Sequence, residues 1–350
     1  MSDGAGAPAG TGPFATDVAI IGAGPVGLFA VFECGMLGMR CHVIDVLDVP
    51  GGQCAALYPE KPIYDIPAWP EITAEGLIER LAEQARPFHP AYHLGQRVER
   101  LEEDGDGGFR LVTSSGAEIR ARAVMVAGGV GAFGPNRPPL EGLTAFEGKS
   151  VFYLVTRRED FRGKRLVIAG GGDSAVDWVL SLAGLAERVY VVHRRDKFRA
   201  APESVERMRA LAAEGRVELV IPYQLAGIEG KGGELTAVTV ASLAGESRRI
   251  EADVLLPFFG LAMNLGPIAR WGLAIEHNRI RADPATLETS RPGIFAIGDI
   301  AVYPGKLKLI LSGFAEAAMA AHAAFARVRP GEALHFEYST TKGVPGRDGG

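Results

Sequence analysis

Two stretches of the chain show the same succession of apolar and helical patterns. Residues 17–21 (DVAII) form a short β-rich run that leads into GAGPVG at 22–27 and then into an apolar helical stretch. Residues 165–169 (RLVIA) lead in the same way into GGGDSA at 170–175 and VDWVLSLA. A buried strand, a glycine-rich turn and a helix in this order are typical of dinucleotide-binding units. The sequence therefore predicts two such units.

The glycines of the first turn have distinct steric roles. Gly22 permits the tight turn, Gly24 lets the backbone approach a pyrophosphate, and Gly27 lets the helix pack against the strand. The pyrophosphate is expected at the helix N-terminus beside Pro25, where free N–H groups and the helix dipole favour negative charge. The next strand, CHVIDV, carries Asp45 at its carboxyl end. A carboxylate at that point accepts hydrogen bonds from ribose hydroxyls.

The first turn alone fits either NAD or FAD, and a distant segment distinguishes them. In IFAIGDIA at 294–301 an apolar strand ends at Asp299, which suits a ribityl hydroxyl, a group that only flavins carry. An Ala-rich helix follows from about Ser312, and its N-terminus favours negative charge on a reduced flavin ring. Together these features favour FAD.

The second turn is followed by basic residues where the first is followed by an acid. After the next predicted strand the chain reads HRRDKFRA. Guanidinium groups bind phosphate in bidentate fashion, whereas a carboxylate repels a ribose 2′-phosphate. The second unit is therefore expected to bind NADPH rather than NADH, and to pass electrons to the flavin. Its candidate binding residues are Gly170, Gly172, Asp173, Ser174, Ala175, His193, Arg194, Arg195 and Arg199.

The order of the segments predicts an α/β fold with two Rossmann-like dinucleotide-binding domains, the NADP domain being inserted into a split FAD domain. Gly- and Pro-rich links such as VGAFGPNRPP separate them. The predicted segments are a flexible arm at 1–16, the FAD domain at 17–133 and 259–341, the NADP domain at 134–258, and a flexible tail at 342–350.

Composition narrows the classes of function. A net charge of −5 gives no reason to expect nucleic acid or an anionic membrane as the main partner. No apolar run reaches the length needed to span a bilayer, and residues 1–15 do not resemble a secretory signal. The three cysteines, Cys34, Cys41 and Cys54, fit structural roles in a reducing cytoplasm. The histidines show no metal-ligand spacing, so no metal is expected.

Over about residues 17–340 the chain resembles the two-dinucleotide flavoprotein disulfide reductases with the thioredoxin-reductase layout. It departs from thioredoxin reductases in one respect, because no CxxC occurs anywhere in the chain. A dithiol relay needs two adjacent thiols, so dithiol reduction by that route is excluded. The chain looks most like the thioredoxin-reductase-like ferredoxin–NADP(+) reductases, and the segments that carry this likeness are GGQCAALYPEKPIYDIPAWP at 51–70, GKLKLILSGFAEAAMAA at 305–321 and EYSTT at 337–341.

This resemblance implies further residues at the flavin. Tyr58 would stack on one face of the isoalloxazine ring, and Tyr338 on the other, from the partner subunit of a homodimer. His335 is an alternative to Tyr338. No side chain is expected to act as acid or base, since the cofactors carry the chemistry. The FAD contacts implied in this way are Asp45, Gln53, Tyr58, Val98, Phe133, Asp299 and Thr340.

The expected electron acceptors are ferredoxin or flavodoxin. Ferredoxins are typically acidic, so a basic rim is expected around the site, with Arg157, Arg158, Arg162, Lys164, Lys306 and Lys308 as candidates. Two alternatives stay open because the acceptor surface has no motif. One is an NADPH-dependent reductase of another small acceptor or of a quinone. The other is a flavin- and NADPH-binding sensor with little turnover.

Overall fold

The computed structural model describes residues 12–334 and 339–345. The chain divides into two compact units. Unit 1 comprises the chain up to Phe133 and from Met263 onward, and unit 2 comprises Gly134–Ala262. The sequence placed the second boundary at 258/259.

The helices and strands follow one another as an α/β chain. The strands are β1 (Phe14–Ile21), β2 (Cys41–Ile44), β3 (Pro62–Ile63), β4 (Ile72–Thr73), β5 (Ala91–His93), β6 (Val98–Glu103), β7 (Phe109–Thr113), β8 (Glu118–Val126), β9 (Ala132–Pro135), β10 (Arg165–Ala169), β11 (Arg188–Val192), β12 (Val217–Val220), β13 (Tyr223–Lys231), β14 (Glu234–Ser242), β15 (Ser247–Glu251), β16 (Val254–Pro257), β17 (Leu261–Asn264), β18 (Ile275–Glu276), β19 (Arg279–Arg281), β20 (Ile294–Ala296) and β21 (Ala301–Val302). The α-helices are α1 (Pro25–Met36), α2 (Gly52–Leu57), α3 (Ala74–Ala85), α4 (Asp173–Leu182), α5 (Pro202–Ala213), α6 (Ile310–Val328) and α7 (Ser339–Lys342). Short 3₁₀ turns lie at Arg86–Phe88, Leu143–Ala145, Arg158–Phe161, Gly266–Arg270 and Gly298–Ile300.

Unit 1 is built on a sheet in the order β5-β2-β1-β8-β7-β6, with β20 also paired to β8. Strands β5, β2, β1, β8 and β20 are parallel to one another. Strand β7 pairs with β8 in the antiparallel direction, and β6 pairs with β7 in the same way. Strand β1 starts at Phe14, three residues before the predicted domain start, because residues 14–16 pair with β8. The parallel order brings the carboxyl ends of β1, β2, β8 and β20 to one edge.

Helices α1 and α6 cover one face of this sheet. Alternate residues of β1, such as Val18 and Ile20, are fully buried against alanines of both helices. Small residues allow α1 and α6 to pack closely. A Cβ at Gly313 of α6 would lie 2.3 Å from a methyl carbon of Val26 on α1. The opposite face packs Ala19 of β1 with Phe109 and the segment around Ile268. Helix α6 thus closes the core that supports the first glycine turn.

Unit 2 has a parallel sheet in the order β12-β11-β10-β16 and a separate antiparallel sheet β13-β14-β15. Its core joins the two sheets through apolar residues that include Val167, Val192, Val238 and Leu255. The turn between β10 and α4 therefore lies at the carboxyl edge of a second parallel sheet. Among the described residues no helix is long and apolar enough to cross a membrane.

Candidate functional site

Three glycines of the first turn differ in the space around them. A Cβ at Gly22 would lie 2.4 Å from the carbonyl oxygen of Ala127, and one at Gly27 would lie 1.9 Å from the carbonyl oxygen of Gly22. At Gly24 the nearest atom would be a Gly52 Cα at 3.9 Å. Gly22 and Gly27 are therefore required by packing inside the protein, whereas the backbone at Gly24 is open to a ligand.

Helix α1 begins with unsatisfied donors. Its N-cap is Gly24, which provides no side-chain cap, and no acidic residue occurs in the first turn. Pro25 occupies the first helical position, where its missing N–H costs nothing. A helix end of this kind favours an anion such as a pyrophosphate.

Asp45 follows β2 directly, and its side chain is hydrogen-bonded to the first glycine turn. Its Oδ2 accepts a hydrogen bond from Ala23 N at 2.5 Å, and its Oδ1 accepts one from Leu47 N at 2.8 Å. The side chain is buried, and this burial raises the pKa of the carboxyl, although the backbone hydrogen bonds oppose the shift. Asp45 thus lies at the carboxyl end of β2, where the sequence predicted it. Its contact with the turn was not predicted.

A cavity of about 330 Å³ opens between this turn and the neighbouring strand ends. The structure brings eight of the predicted flavin residues to its wall, and these are Gly22, Gly24, Pro25, Asp45, Gln53, Tyr58, Val98 and Asp299. Gly27 lies behind the wall, where it packs on Gly22. Thr340 is exposed on α7 and does not line the cavity.

Three further predictions fall outside what the structure describes. The side chain of Phe133 is not among the described side chains, and Tyr338 and His335 lie outside the described residues. Their roles at the flavin stay predictions.

Sequence reasoning missed two segments of the cavity wall. Residues 128–131 follow β8, and the 3₁₀ turn Gly266–Arg270 supplies Pro267 and Ile268 beside Trp271. The first segment had a signal, because AVMVAGG reads as an apolar strand that ends in glycines. The second had none, because nothing local marks a segment that reaches the cavity only through the return of the chain to unit 1.

Tyr58 contacts Cys54 in the cavity wall. The Cys54 thiol donates to Tyr58 Oη at 3.8 Å, and both side chains belong to the segment 51–58. Burial raises the pKa of Cys54 to about 11 and raises the pKa of Tyr58 as well. Both groups are therefore neutral at physiological pH, and the half-buried phenol presents an aromatic surface rather than a charge.

A buried ion pair supports the turn that carries Asp299. Glu316 of α6 accepts hydrogen bonds from Gly298 N at 2.7 Å and from Tyr303 Oη at 2.6 Å, and it also pairs with Lys306 Nζ. The Lys306 and Glu316 side chains are only 6% and 3% exposed. The turn Gly298–Ile300 is therefore fixed by α6 from behind.

This burial corrects the expectation that Lys306 belongs to a basic rim. The ammonium group is turned inward because Glu316 pairs with it. Arg162 and Arg157 are exposed, but they pair with Glu159 at 2.8 Å and with Asp160 at 4.0 Å. Of the candidates, Lys308 is exposed and lines the cavity of unit 1.

The second turn repeats the packing of the first. A Cβ at Gly170 would lie 2.6 Å from the carbonyl oxygen of Phe258, whereas nothing lies within 4 Å of one at Gly172. Ala175, at the third position of the motif, is buried. Helix α4 begins after Gly172 with no side-chain cap. The open glycine and the uncapped helix end again suit a pyrophosphate.

The loop after β11 carries the predicted basic residues. His193 packs on the turn so closely that a Cβ at Gly171 would lie 2.2 Å from its ring, and it contacts Phe198 with ring centroids 5.0 Å apart. Burial lowers the pKa of His193, and nearby arginines add to the effect, so the ring is neutral at physiological pH. The side chains of Arg194, Arg195 and Arg199 are exposed, and none pairs with a carboxylate among the described residues.

Asp173 and Ser174 open helix α4, and both are exposed. Asp173 Oδ1 accepts a hydrogen bond from Ala201 N at 3.0 Å. Ser174 lies exposed beside Asp173 in the first turn of the helix. The loop and the turn together form a basic site at the carboxyl edge of the second sheet.

Comparison with known proteins agrees with this arrangement. Residues 16–326 match the pyridine nucleotide-disulphide oxidoreductase family. The chain belongs to this family. It is 64% identical to the ferredoxin--NADP reductase of Rhodospirillum rubrum over 95% of this chain and 98% of that protein, and 64% identical to that of Paramagnetospirillum magneticum over 94% and 98%. A solved thioredoxin reductase from Lactococcus lactis is 25% identical and superposes with a TM-score of 0.77 over 89% of this chain and 99% of that one.

The cysteines of this pyridine nucleotide-disulphide oxidoreductase are all free and buried. Cys34 lies on α1, Cys41 begins β2, and Cys54 lies on α2. A hydrogen bond with Cys34 and burial raise the pKa of Cys41, so it does not form a thiolate at neutral pH. Among the described residues no group of three or more His, Cys, Asp or Glu side chains could hold a metal ion.

Proposed function

We propose that the protein is an FAD-dependent ferredoxin–NADP(+) reductase that transfers reducing equivalents between NADPH and a ferredoxin or flavodoxin. The observation that carries this proposal is the contrast between the two glycine turns. The Asp45 carboxylate accepts a hydrogen bond from the first turn. The second turn is flanked instead by three arginines, which have no carboxylate partner among the described residues. Relatives that are 64% identical over nearly their whole length and bear the name ferredoxin--NADP reductase support it.

In unit 1 the residues of the cavity wall fit FAD. Gly24 leaves space for a pyrophosphate beside the free N–H groups of α1. Asp45 is suited to bind the ribose, and Asp299 to bind the ribityl chain. Tyr58 is suited to stack on the isoalloxazine ring, because flat polarizable rings favour offset stacking. Gln53 and Val98 complete the proposed contacts, together with Phe133 and Thr340.

In unit 2 the residues fit NADPH. Gly172 and the uncapped start of α4, with Ala175 packed beneath the turn, would hold the pyrophosphate. Arg194, Arg195 and Arg199 would hold the 2′-phosphate, because guanidinium groups bind phosphate oxygens in bidentate fashion. Neutral His193 fits the adenosine end of the site by packing rather than by charge.

When bound, the cofactors would supply the chemistry, namely hydride transfer between NADPH and FAD and single-electron transfer from the flavin to the acceptor. The side chains of this chain bind and orient the rings and exclude water. Tyr58 is a neutral phenol and Cys54 a neutral thiol, so neither supplies a charge at the flavin. We assign no general acid or base.

We further propose a cytoplasmic homodimer in which Tyr338 of one subunit covers the flavin of the other, with His335 as the alternative. Three free, buried cysteines support a reducing compartment. The acceptor would dock near the cavity mouth, where Lys308 offers one positive charge to an acidic carrier.

Acceptor specificity is tested with the FAD-loaded protein. NADPH oxidation is followed with ferredoxin coupled to cytochrome c, with flavodoxin and with oxidised thioredoxin, and NADH is run beside NADPH as donor. Fast reduction of ferredoxin by NADPH, with thioredoxin inert, is the expected result. Fast flavin reduction without ferredoxin turnover would indicate another acceptor or a quinone. Slow flavin reduction by NADPH would indicate a sensor and would overturn the proposal.

Donor specificity is tested by removing the arginines. Arg194→Ala with Arg195→Ala is expected to raise the KM for NADPH about 10-fold or more while NADH is little affected, because each charged hydrogen bond contributes about 1.5–3 kcal/mol. Arg216→Ala is the control, since Arg216 is exposed just before β12, at the opposite edge of the sheet. An equal rise in the KM for NADPH and for NADH would contradict the assignment of these arginines to the 2′-phosphate.

A further inference from the structure

A carboxylate at the start of α4 is unexpected if a pyrophosphate binds there. Asp173 is the first residue of the helix, and a negative side chain beside a bound phosphate is repelled by it. Helix α1 of unit 1, at the corresponding place, has no acidic residue in its first turn. The acid of unit 2 therefore calls for a role other than contact with the nucleotide.

The hydrogen bonds of Asp173 supply this role. Its Oδ1 accepts from Ala201 N at 3.0 Å. Ala201 is the N-cap of α5 and ends the loop of residues 193–201, which we call the arginine loop. Two residues earlier, Arg199 N donates to the carbonyl oxygen of Gly171 at 2.7 Å. The end of the arginine loop is therefore tied to the glycine turn by one side-chain bond and one backbone bond.

The start of the arginine loop is fixed separately. His193 N donates to the carbonyl oxygen of Val220 on the adjacent strand at 3.2 Å, and the His193 ring lies against Gly171. Between the two anchored ends, Arg194 and Arg195 are exposed and have no carboxylate partner among the described residues. Removal of the Asp173 bond would leave the end of the loop held by the Arg199 backbone bond alone, and would leave the start of the loop unchanged.

Unit 1 has the same tie with its direction reversed. There Gly51 N donates to the carbonyl oxygen of Ala23 at 2.8 Å, at the position that corresponds to Gly171, and the carboxylate of Asp45 lies after the strand and accepts from Ala23 N in the turn. In unit 2 the carboxylate is in the turn and accepts from the loop. This reversal keeps a carboxylate tie and leaves no acid directly after the second strand, where unit 1 has Asp45 and unit 2 has His193. The one acid of the arginine loop, Asp196, pairs with Arg209 at 3.2 Å.

We propose that Asp173 is a positioning residue that sets the preference for NADPH over NADH by holding the arginine loop against the glycine turn. It does so through Ala201 N, without contacting the nucleotide. The inference rests on the proposed function, since it takes the arginine loop as the site of the 2′-phosphate.

The test compares Asp173→Ala with Asp173→Asn in the FAD-loaded protein. The asparagine carbonyl still accepts from Ala201 N and only the charge is lost, whereas alanine loses the bond. Asp173→Ala is expected to lower the NADPH/NADH ratio of kcat/KM about 3- to 10-fold, the effect of one net hydrogen bond. Asp173→Asn is expected to keep the wild-type ratio. Binding of adenosine 2′,5′-bisphosphate and of AMP, measured by calorimetry without turnover, should show the same pattern.

Each other outcome overturns the inference. If both variants bind both nucleotides more tightly to the same degree, Asp173 acts through its charge alone. If Asp173→Ala weakens both nucleotides equally and lowers the melting temperature, its role is structural. If the wild-type protein does not prefer NADPH, the assignment of the arginines in the proposed function fails, and this inference fails with it.

Discussion

The two glycine turns share a scaffold and differ in their charges. In each unit the first glycine donates to the last residue of the second strand, Gly22 to Ile44 at 2.8 Å and Gly170 to Val192 at 3.1 Å. Around the first turn the ionisable groups are buried, as Asp45 and Glu316 are. Around the second they are exposed. One local geometry thus serves a cavity in unit 1 and an exposed basic surface in unit 2.

Burial decides how much each charge contributes to stability. Glu316 and Lys306 have almost no contact with solvent, whereas Arg165 and Asp253 of unit 2 form a bidentate pair with side chains 29% and 38% exposed. Solvent screens an exposed pair, but an unpaired charge in the interior is costly. The comparison therefore predicts unequal effects when one carboxylate of each pair is removed.

The largest effect is expected at Glu316. Glu316→Ala leaves Lys306 buried without a counter-charge and should lower the free energy of unfolding by about 3–5 kcal/mol. Asp253→Ala, the matched change in unit 2, should cost about 1 kcal/mol. Urea unfolding of both variants measures the difference, and FAD retention reports whether the turn at Asp299 is disturbed.

A double variant provides the control for this prediction. Lys306→Met with Glu316→Leu removes both charges and should recover most of the lost stability, because apolar residues of similar size replace buried ion pairs at little cost. If Glu316→Ala and Asp253→Ala lower the free energy of unfolding by similar amounts, burial does not explain the stability contributed by the two ion pairs.

The next effect concerns the third position of each turn. A Cβ at Gly27 would lie 1.9 Å from the carbonyl oxygen of Gly22, whereas unit 2 accommodates Ala175 at the same position. Gly27→Ala should therefore destabilise by about 1–3 kcal/mol through overpacking. Ala175→Gly should cost about 0.5–1 kcal/mol through chain entropy.

Gly24→Ala is the control for the glycine prediction. Its Cβ would meet no atom closer than 3.9 Å, so stability should be retained. The dissociation constant of FAD should rise, because the methyl group would occupy the space left for the pyrophosphate. If Gly27→Ala unfolds at the same urea concentration as Ala175→Gly, the steric difference between the turns is refuted.

The glycine turns could be predicted because their signals are local. The apolar runs and glycine spacings predicted β1, α1 and β2 in unit 1 and β10, α4 and β11 in unit 2. The predicted α/β fold class is confirmed by the parallel sheets and by the likeness to thioredoxin reductase. The family resemblance is likewise confirmed.

The parts that sequence reasoning missed depend on contacts between distant segments. From the sequence, Lys306 looks like a surface lysine. Only the packing of α6 on α1 places Glu316 behind the turn at Gly298, where it pairs with Lys306. The bond from Ala201 to Asp173 spans 28 residues, and no residue pattern marks it. The roles of Tyr338 and Thr340 stay predictions that rest on resemblance alone.

The smallest effect concerns the strand beside each turn. In unit 1, His42 Nδ1 lies 3.0 Å from His93 Nε2 across β2 and β5. In unit 2 the corresponding strands β11 and β12 carry an ion pair, with Arg188 and Glu218 at 3.1 Å. Burial lowers the pKa of His42 to about 4, and the neighbouring His93 and Arg40 add to this. The unfolded chain, in which a histidine has a pKa near 6.5, therefore binds more protons between pH 4 and 6.5.

Stability contributed by neutral His42 is thus fully present above about pH 6.5 and is lost as the pH falls towards 4. His42→Asn should flatten this part of the curve of melting temperature against pH, although loss of the hydrogen bond to His93 lowers the plateau by about 1 kcal/mol or less. The control is His89→Asn, because His89 is exposed and its positive φ of 47° is one that asparagine tolerates. If the slope of melting temperature against pH is unchanged in His42→Asn, the acid sensitivity of unit 1 arises from other groups. The His42–His93 pair would then not distinguish the sheet of unit 1 from that of unit 2.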